Sequence, residues 1–261
     1  MNRRLAVCLL LTILGADATA RTRAAQHPAD IPAPSSVMWI AAHPDDEAVA
    51  APLLSLWCRE QRARCAFLVL TRGEAGPCLR PEGCMPDIAT VRSAEEAAAS
   101  QYFNADLILL TFPDGGGASP PSWPDMTSTV AAYIEAVHPD LILTFDPRHG
   151  TTCHPDHRAT ANIVLESVKH LTFRPAVYLL ETRISIGSNP LSIHFTSGAA
   201  AAQRFDANAT WNAVIEDMQR HPSQFDSRWI AAIESVPPAE RAVFIAPLAT
   251  VDIISAPCTV P

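Results

Sequence analysis

Val37-Met38-Trp39-Ile40-Ala41-Ala42-His43-Pro44-Asp45-Asp46-Glu47 passes from an unbroken apolar run into one imidazole and three carboxylates within five positions. The run predicts a strand buried on both faces, and the polar cluster then falls where that strand must end. In an open α/β sheet ligands bind outside the carboxyl ends of the strands, so the cluster is a candidate active site. Pro44 stiffens the turn and lets a helix begin at once. A second cluster, His154-Pro155-Asp156-His157, supplies two further imidazoles.

On either side of that first strand the pattern repeats. Apolar runs at 37–42, 66–70, 107–111, 141–145 and 177–180 predict buried strands bounded by turn formers. Longer helical patterns near 46–60, 88–103, 124–137 and 155–170 separate them. Alternation of this kind implies right-handed crossovers and an α/β, three-layer Rossmann-like fold with a mostly parallel sheet. Pro52 falls inside the first helical stretch, where it predicts a kink. Residues 205–220 read as an amphipathic helix capped by Asp206 or Asn208. The stretch 243–254 suggests one more strand or an extended arm that the pattern does not place.

Asn2-Arg3-Arg4, the apolar stretch Leu5 to Gly15 and Ala18-Thr19-Ala20 together predict a signal peptide over residues 1–20. The stretch is shorter than the roughly 20 residues a membrane span needs. An Ala/Pro-rich linker at 21–35 and a single domain over 36–261 follow, and no later stretch is long enough to be a transmembrane segment. An exported, periplasmic or extracellular protein is therefore expected. A net charge of −8 argues against nucleic acid as a partner. Six cysteines follow the signal peptide, and an even count in an exported chain favours disulfides. Cys58 and Cys65 flank a polar turn, Cys78 and Cys84 flank a Pro/Gly-rich loop, and Cys153 is left to pair with Cys258.

His43 and Asp46 are three apart across a strand-to-helix turn, and His154 and His157 are three apart near a helix start. Each pair can aim at one point. Two imidazoles and one carboxylate make a three-ligand zinc site with a position open for water, and such a site lowers the pKa of that water to about 7. Asp45 then stands beside the metal as a free carboxylate, suited to take a proton from attacking water. One of the two later histidines is left to protonate a leaving amine or steady an oxyanion, with Asp156 placed to orient it. The dipeptide His-Pro occurs five times, at 27, 43, 138, 154 and 221, so it carries no weight alone. His138-Pro139-Asp140 precedes a strand and reads as a turn.

Ala-His-Pro-Asp-Asp-Glu after the first strand, with the distal His-Pro-Asp-His, resembles the PIG-L/LmbE-like zinc-dependent N-deacetylases. Further matches follow in order: Leu70-Thr71-Arg72-Gly73-Glu74-Ala75-Gly76, Arg92 with Glu95 and Glu96, Phe112-Pro113-Asp114-Gly115, and His221-Pro222-Ser223-Gln224. The resemblance implies zinc on His43, Asp46 and His157, Asp45 as general base, and His154 as acid and oxyanion stabiliser. It also implies sugar contacts from Arg92 and Asp114, a supporting role for Glu47, and a small N-acetylated amino sugar or glycoconjugate as substrate. Some relatives carry an oxyanion-binding tyrosine just before the second His motif; here Thr151, Thr152 and Cys153 stand there.

A noncatalytic sugar-binding protein on the same scaffold is the alternative, and a retained Asp45 argues against it. No Gly-x-Gly-x-x-Gly opens the first helix, and no Gly-x-Ser-x-Gly is present, which disfavours a dinucleotide-binding protein and a serine hydrolase.

Overall fold

The computed structural model describes residues 33–115, 123, 125–200, 202–250 and 258. The expected signal peptide and most of the linker lie outside the described residues. Seven strands form one sheet in the order β3-β2-β1-β4-β5-β9-β8. β1 (Ser36–Ala41), β2 (Arg64–Thr71), β3 (Ala105–Phe112), β4 (Leu141–Phe145) and β5 (Ala176–Leu180) are parallel, as the alternation predicts. β9 (Ala242–Pro247) runs antiparallel to β5 and to β8 (Gln203–Asp206), so the first part of the 243–254 stretch is a strand inside the sheet, and residues 251–254 lie outside the described residues.

Neighbouring positions of β1 feed opposite cores. Val37, Trp39 and Ala41 pack with Leu53, Leu54, Trp57 and Phe103 on one face, while Met38 and Ile40 pack with Val130, Ile134 and Val164 on the other. Each such fully buried side chain contributes about 1.5–3 kcal/mol. Helices α2 (Ile88–Tyr102), α3 (Met126–Val137) and α5 (Pro155–Ser167) correspond to the later predicted helices. The chain leaves β1 toward β2 and β3, then crosses back to β4 and β5, so β1 and β4 are adjacent strands whose connections diverge. A crevice between their carboxyl ends is the topological switch point, where such sheets bind ligands.

Three expectations need correction. The first helix is not continuous: a 3₁₀ turn at Asp46–Val49 gives way to α1 (Ala51–Leu54) and then a widened π turn over Ser55–Glu60. Pro52 sits in the first turn of α1, where its missing N–H has no helical partner to lose, so it starts a segment and does not kink one. Residues 205–220 are not one helix either. Phe205 and Asp206 end β8, and Asp206 Oδ1 accepts the Asn208 N–H at 3.0 Å in a local turn; the helix, α6, spans only Asn212–Met218 with Trp211 as its N-cap. The hairpin of β6 (Thr182–Ser188) and β7 (Leu191–Ser197), and α7 (Ser227–Glu234), were not expected at all.

Disulfides join Cys58 to Cys65, Cys78 to Cys84 and Cys153 to Cys258, the expected pairs. No helix among the described residues is long and apolar enough to cross a membrane. His138 is the left-handed C-cap of α3 and stacks on Phe173, as a turn residue should.

Candidate metal centre and active site

Each cluster sits at a strand end. His43 and the carboxylates leave β1; Asp114 leaves β3; His154 N-caps α5 and His157 lies in its first turn. The imidazoles of His43, His154 and His157 present ligand atoms within 4.8 Å of one another. Asp46 joins two of them: Oδ1 lies 2.9 Å from His157 Nε2 and Oδ2 3.5 Å from His43 Nδ1. Asp46 Oδ2 also accepts the backbone N–H groups of Ala42 and His43 at 2.9 and 2.8 Å, which fixes its rotamer.

His157 is oriented for ligation. Its Nδ1–H donates to Gly150 O at 2.8 Å, which leaves the Nε2 lone pair facing the site. Its ring also stacks on Phe145, with centroids 4.2 Å apart. Gly150 has a φ of +52°, and a Cβ there would fall 2.6 Å from His157 Cβ, so only glycine allows this approach. A short stretch α4 (Gly150–Cys153) carries Thr151 and Cys153 with φ of 63° each, a strained passage into the second His motif.

Around His43 the charges are unbalanced. Nε2 lies 3.1 Å from Asp114 Oδ1 and 3.2 Å from Asp156 Oδ2, with Asp46 on the other ring nitrogen. Burial opposes a charge on His43, but these carboxylates outweigh it and hold the imidazole well above its ordinary pKa. Burial alone would raise Asp46, yet His157 and His43 hold it well below the carboxylate range. The carboxylates therefore favour positive charge at this point, and His43, Asp46 and His157 form a donor set that fits a divalent metal.

Asp45 stands apart from these ligands. Its backbone is left-handed, φ 95°, and its Oδ2 lies 3.1 Å from Arg92 Nη2. Burial pushes its carboxyl up to about 6, against the pull of Arg92 and with the help of Asp46. Arg92, expected at a sugar, is buried on α2 and donates to the carbonyls of Gly73 and Pro44 as well as pairing with Asp45. Its guanidinium passes between two glycines: a Cβ at Gly73 or Gly76 would lie 2.3 or 2.4 Å from it. That contact explains the two glycines of Gly73-Glu74-Ala75-Gly76, a stretch that the sequence showed only as a match to the family. Gly76→Ala should displace the guanidinium, leave the fold intact and raise the Asp45 carboxyl, so that a shift of about one pKa unit lowers kcat about twofold at pH 7 and up to about tenfold below pH 6. Steady-state kinetics beside circular dichroism check this, and an unchanged kcat refutes the clamp.

His154 is neutral. Burial, and then the charges on His157 and His43, hold it at about 4; a bound cation acts in the same direction. Its Nδ1 accepts the Asp156 N–H at 3.3 Å, which assigns the neutral proton to Nε2. Asp156 Oδ2 in turn accepts the Gly115 N–H at 2.8 Å and lies 3.2 Å from His43 Nε2, and its charge also favours the protonated form of His154. Asp114 Oδ2 accepts the Ala75 N–H at 2.8 Å.

Behind Asp45 lies a buried network that the sequence indicated only as separate motifs. Glu47 Oε1 meets His221 Nε2 at 2.7 Å, both side chains fully buried. Glu96 Oε2 faces the Asp45 N–H at 3.4 Å, and Glu95 accepts from the Ser223 N–H and hydroxyl at 3.0 and 2.6 Å. Positions 92, 95 and 96 share one face of α2, so one helix steadies Asp45 from the front and from behind. Asp146, at the end of β4, was missed; it holds Arg148 and His149 at 2.9 Å each and so braces the turn before Gly150. Its signal was Asp-Pro-Arg-His directly after an apolar strand.

Histidines and carboxylates gathered at a switch point define an α/β protein with a candidate metal site. The model of the PIG-L family, described as GlcNAc-PI de-N-acetylase, matches residues 38–168. The chain belongs to the PIG-L family. It is 27% identical over 154 residues to the 1D-myo-inositol 2-acetamido-2-deoxy-alpha-D-glucopyranoside deacetylase of Kineococcus radiotolerans, a match covering 48% of this chain and 42% of that relative. The chain thus spans less than half the length of that relative. In fold it is similar to N,N'-diacetylchitobiose deacetylase from Pyrococcus horikoshii, with a TM-score of 0.65, 15% identity and 87% of each chain covered. It is also similar to 4-carboxy-2-hydroxymuconate hydratase from Pseudomonas putida, with a TM-score of 0.59, 16% identity, and 82% and 95% of the two chains covered. At these identities the structures share the fold alone.

Proposed function

We propose that the protein is an exported, zinc-dependent amidohydrolase that removes the N-acetyl group from an N-acetylglucosamine-type amino sugar. The observation that carries this reading is a free carboxylate, Asp45, beside a His/Asp/His donor set, because a purely structural metal site has no use for it. The names of the deacetylase relatives point the same way, and three disulfides agree with export.

His43, Asp46 and His157 would hold the zinc. When bound, zinc polarises a carbonyl and lowers the pKa of water, which amide hydrolysis at neutral pH requires. Asp45, near pKa 6, takes a proton from the attacking water. His154 offers its Nε2–H to the developing oxyanion, the task of the tyrosine found in some relatives. Since His154 is neutral at rest, the proton that the leaving amine needs returns from Asp45, a different division of labour from the one the family resemblance implies. Water's oxygen joins the acyl carbon, the C–N bond breaks, and acetate and the amine leave. Asp114, Glu74 and the Ala75 loop form a polar flank for sugar hydroxyls.

Amine release from N-acetylglucosamine conjugates, before and after chelation and with zinc restored, tests the proposal. Release that chelation abolishes and zinc restores supports it. No release from any conjugate by protein carrying a full equivalent of zinc overturns it.

A further inference from the structure

An apolar cavity of about 180 Å³ adjoins the reaction centre, and Asp114 is not among its lining residues. Its inner end is formed by Asp45, Asp46 and His157, and its far wall by the β6–β7 hairpin and the helices α6 and α7. Alternation along the hairpin supplies that wall. Ile184 faces Phe195 and Ile186 faces Ile193 as cross-strand pairs, so one face of the hairpin is apolar while Ser185, Ser192 and His194 occupy the other. Met218 of α6 and Trp229 of α7 complete that wall, and Ile186, half exposed, stands at the rim.

Sugar hydroxyls need polar partners, and beyond Asp45, Asp46 and His157 this cavity offers them few: Thr151 and Thr152 are set among apolar side chains. What it contacts decides its occupant. It begins at the base and at two of the metal ligands, so the group that enters it is attached to the carbon under attack. An acetyl methyl fills little of it: a cavity of about 150 Å³ lined by similar side chains holds a benzene-sized molecule. Resting on the amidohydrolase reading above, we propose that this cavity receives the acyl chain of the scissile amide, and that the preferred substrates are N-acyl amino sugars with acyl chains of about four to eight carbons. Hydrolysis releases the fatty acid and the free amine, with the same bonds made and broken as for acetate.

Glucosamines carrying N-acetyl, N-butyryl, N-hexanoyl and N-octanoyl groups, together with octyl N-acetylglucosaminide, test the proposal with the zinc-loaded protein. kcat/KM should rise by up to about fourfold per methylene, the equivalent of about 0.8 kcal/mol of burial, until the cavity is full. Ile184→Trp, which fills the cavity, and Ile186→Ser, a milder change at the exposed rim, should both reduce the ratio of hexanoyl to acetyl turnover. Fastest cleavage of the acetyl compound overturns the acyl assignment while leaving the amidohydrolase intact. An octyl group on the anomeric oxygen that raises kcat/KM where longer acyl chains do not assigns the cavity to the aglycone and also overturns it. Absence of amine from every compound overturns the hydrolase reading and this inference with it.

Discussion

Asp45→Asn should lower kcat by about 10²–10⁴, the usual contribution of a positioned general base, with zinc content and melting temperature close to wild type. The substitution suits the site. Asp45 has a left-handed backbone, φ 95°, which asparagine accepts more readily than alanine does, so the turn between β1 and Asp46, the proposed metal ligand, is preserved. The amide oxygen can still accept from Arg92, and nothing in the His43, Asp46 and His157 set changes. What disappears is a carboxylate that burial brings to about 6 and that can accept a proton from water. Metal analysis, thermal melts and single-substrate kinetics check the three parts separately. A variant that keeps wild-type kcat would remove Asp45 from proton transfer, and one that loses its metal would show that Asp45 is a ligand.

The centre of the sheet was legible because β1, β2 and β4 are buried on both faces. Val37–Ala41 and Leu141–Phe145 are continuous apolar runs, and no helix of that length competes with them. The hairpin was not legible, since Thr182–Ser188 is only partly buried and its Ser/Gly-rich alternation resembles a loop. The helix assigned at 205–220 failed for a related reason: Asp206 and Asn208 are good capping residues, but they serve a local turn between β8 and α6. At the site, the candidate residues His43, Asp45, Asp46, His154 and His157 stood out from local spacing, and the fold brings them together. The role of Arg92 was not, because it depends on Gly73 and Gly76 leaving room for a guanidinium from a different element. Long-range packing of that kind leaves no periodic trace in one sequence.

The fold does not by itself determine the chemistry, as its likeness to a hydratase shows. What separates possible activities on this scaffold is which groups surround the strand ends, and here that environment reaches back into the core through Glu47 and His221.

His221→Ala should destabilise the protein by about 3–5 kcal/mol, the cost of removing one partner from a buried ion pair. That corresponds to a fall in melting temperature on the order of 10 °C for a domain of this size. Burial works against a charge on His221, but Glu47 beside it, with Glu96 and Asp45 beyond, pushes it up to about 9. Burial, then the neighbouring Glu47, raises both Glu96 and Asp217. Without the imidazolium, Glu47 is left buried and uncompensated. Replacing both members, as Glu47→Leu with His221→Leu, should recover much of the loss, because the desolvated charge is removed along with its partner. The pH dependence has a definite sign. A histidine whose folded pKa lies above its unfolded value stabilises fully below about pH 6.5 and loses that contribution as pH rises through about 9. Melting temperatures of the wild type should therefore decline from pH 6.5 to above 9, and the double variant should lack this component. A His221→Ala variant that melts with the wild type, or a wild-type profile flat over that range, would mean that the pair is not ionised. Glu96 faces the Asp45 N–H, so loosening this pocket should also disturb the base, with kcat reduced more than KM is changed in the surviving folded His221→Ala protein.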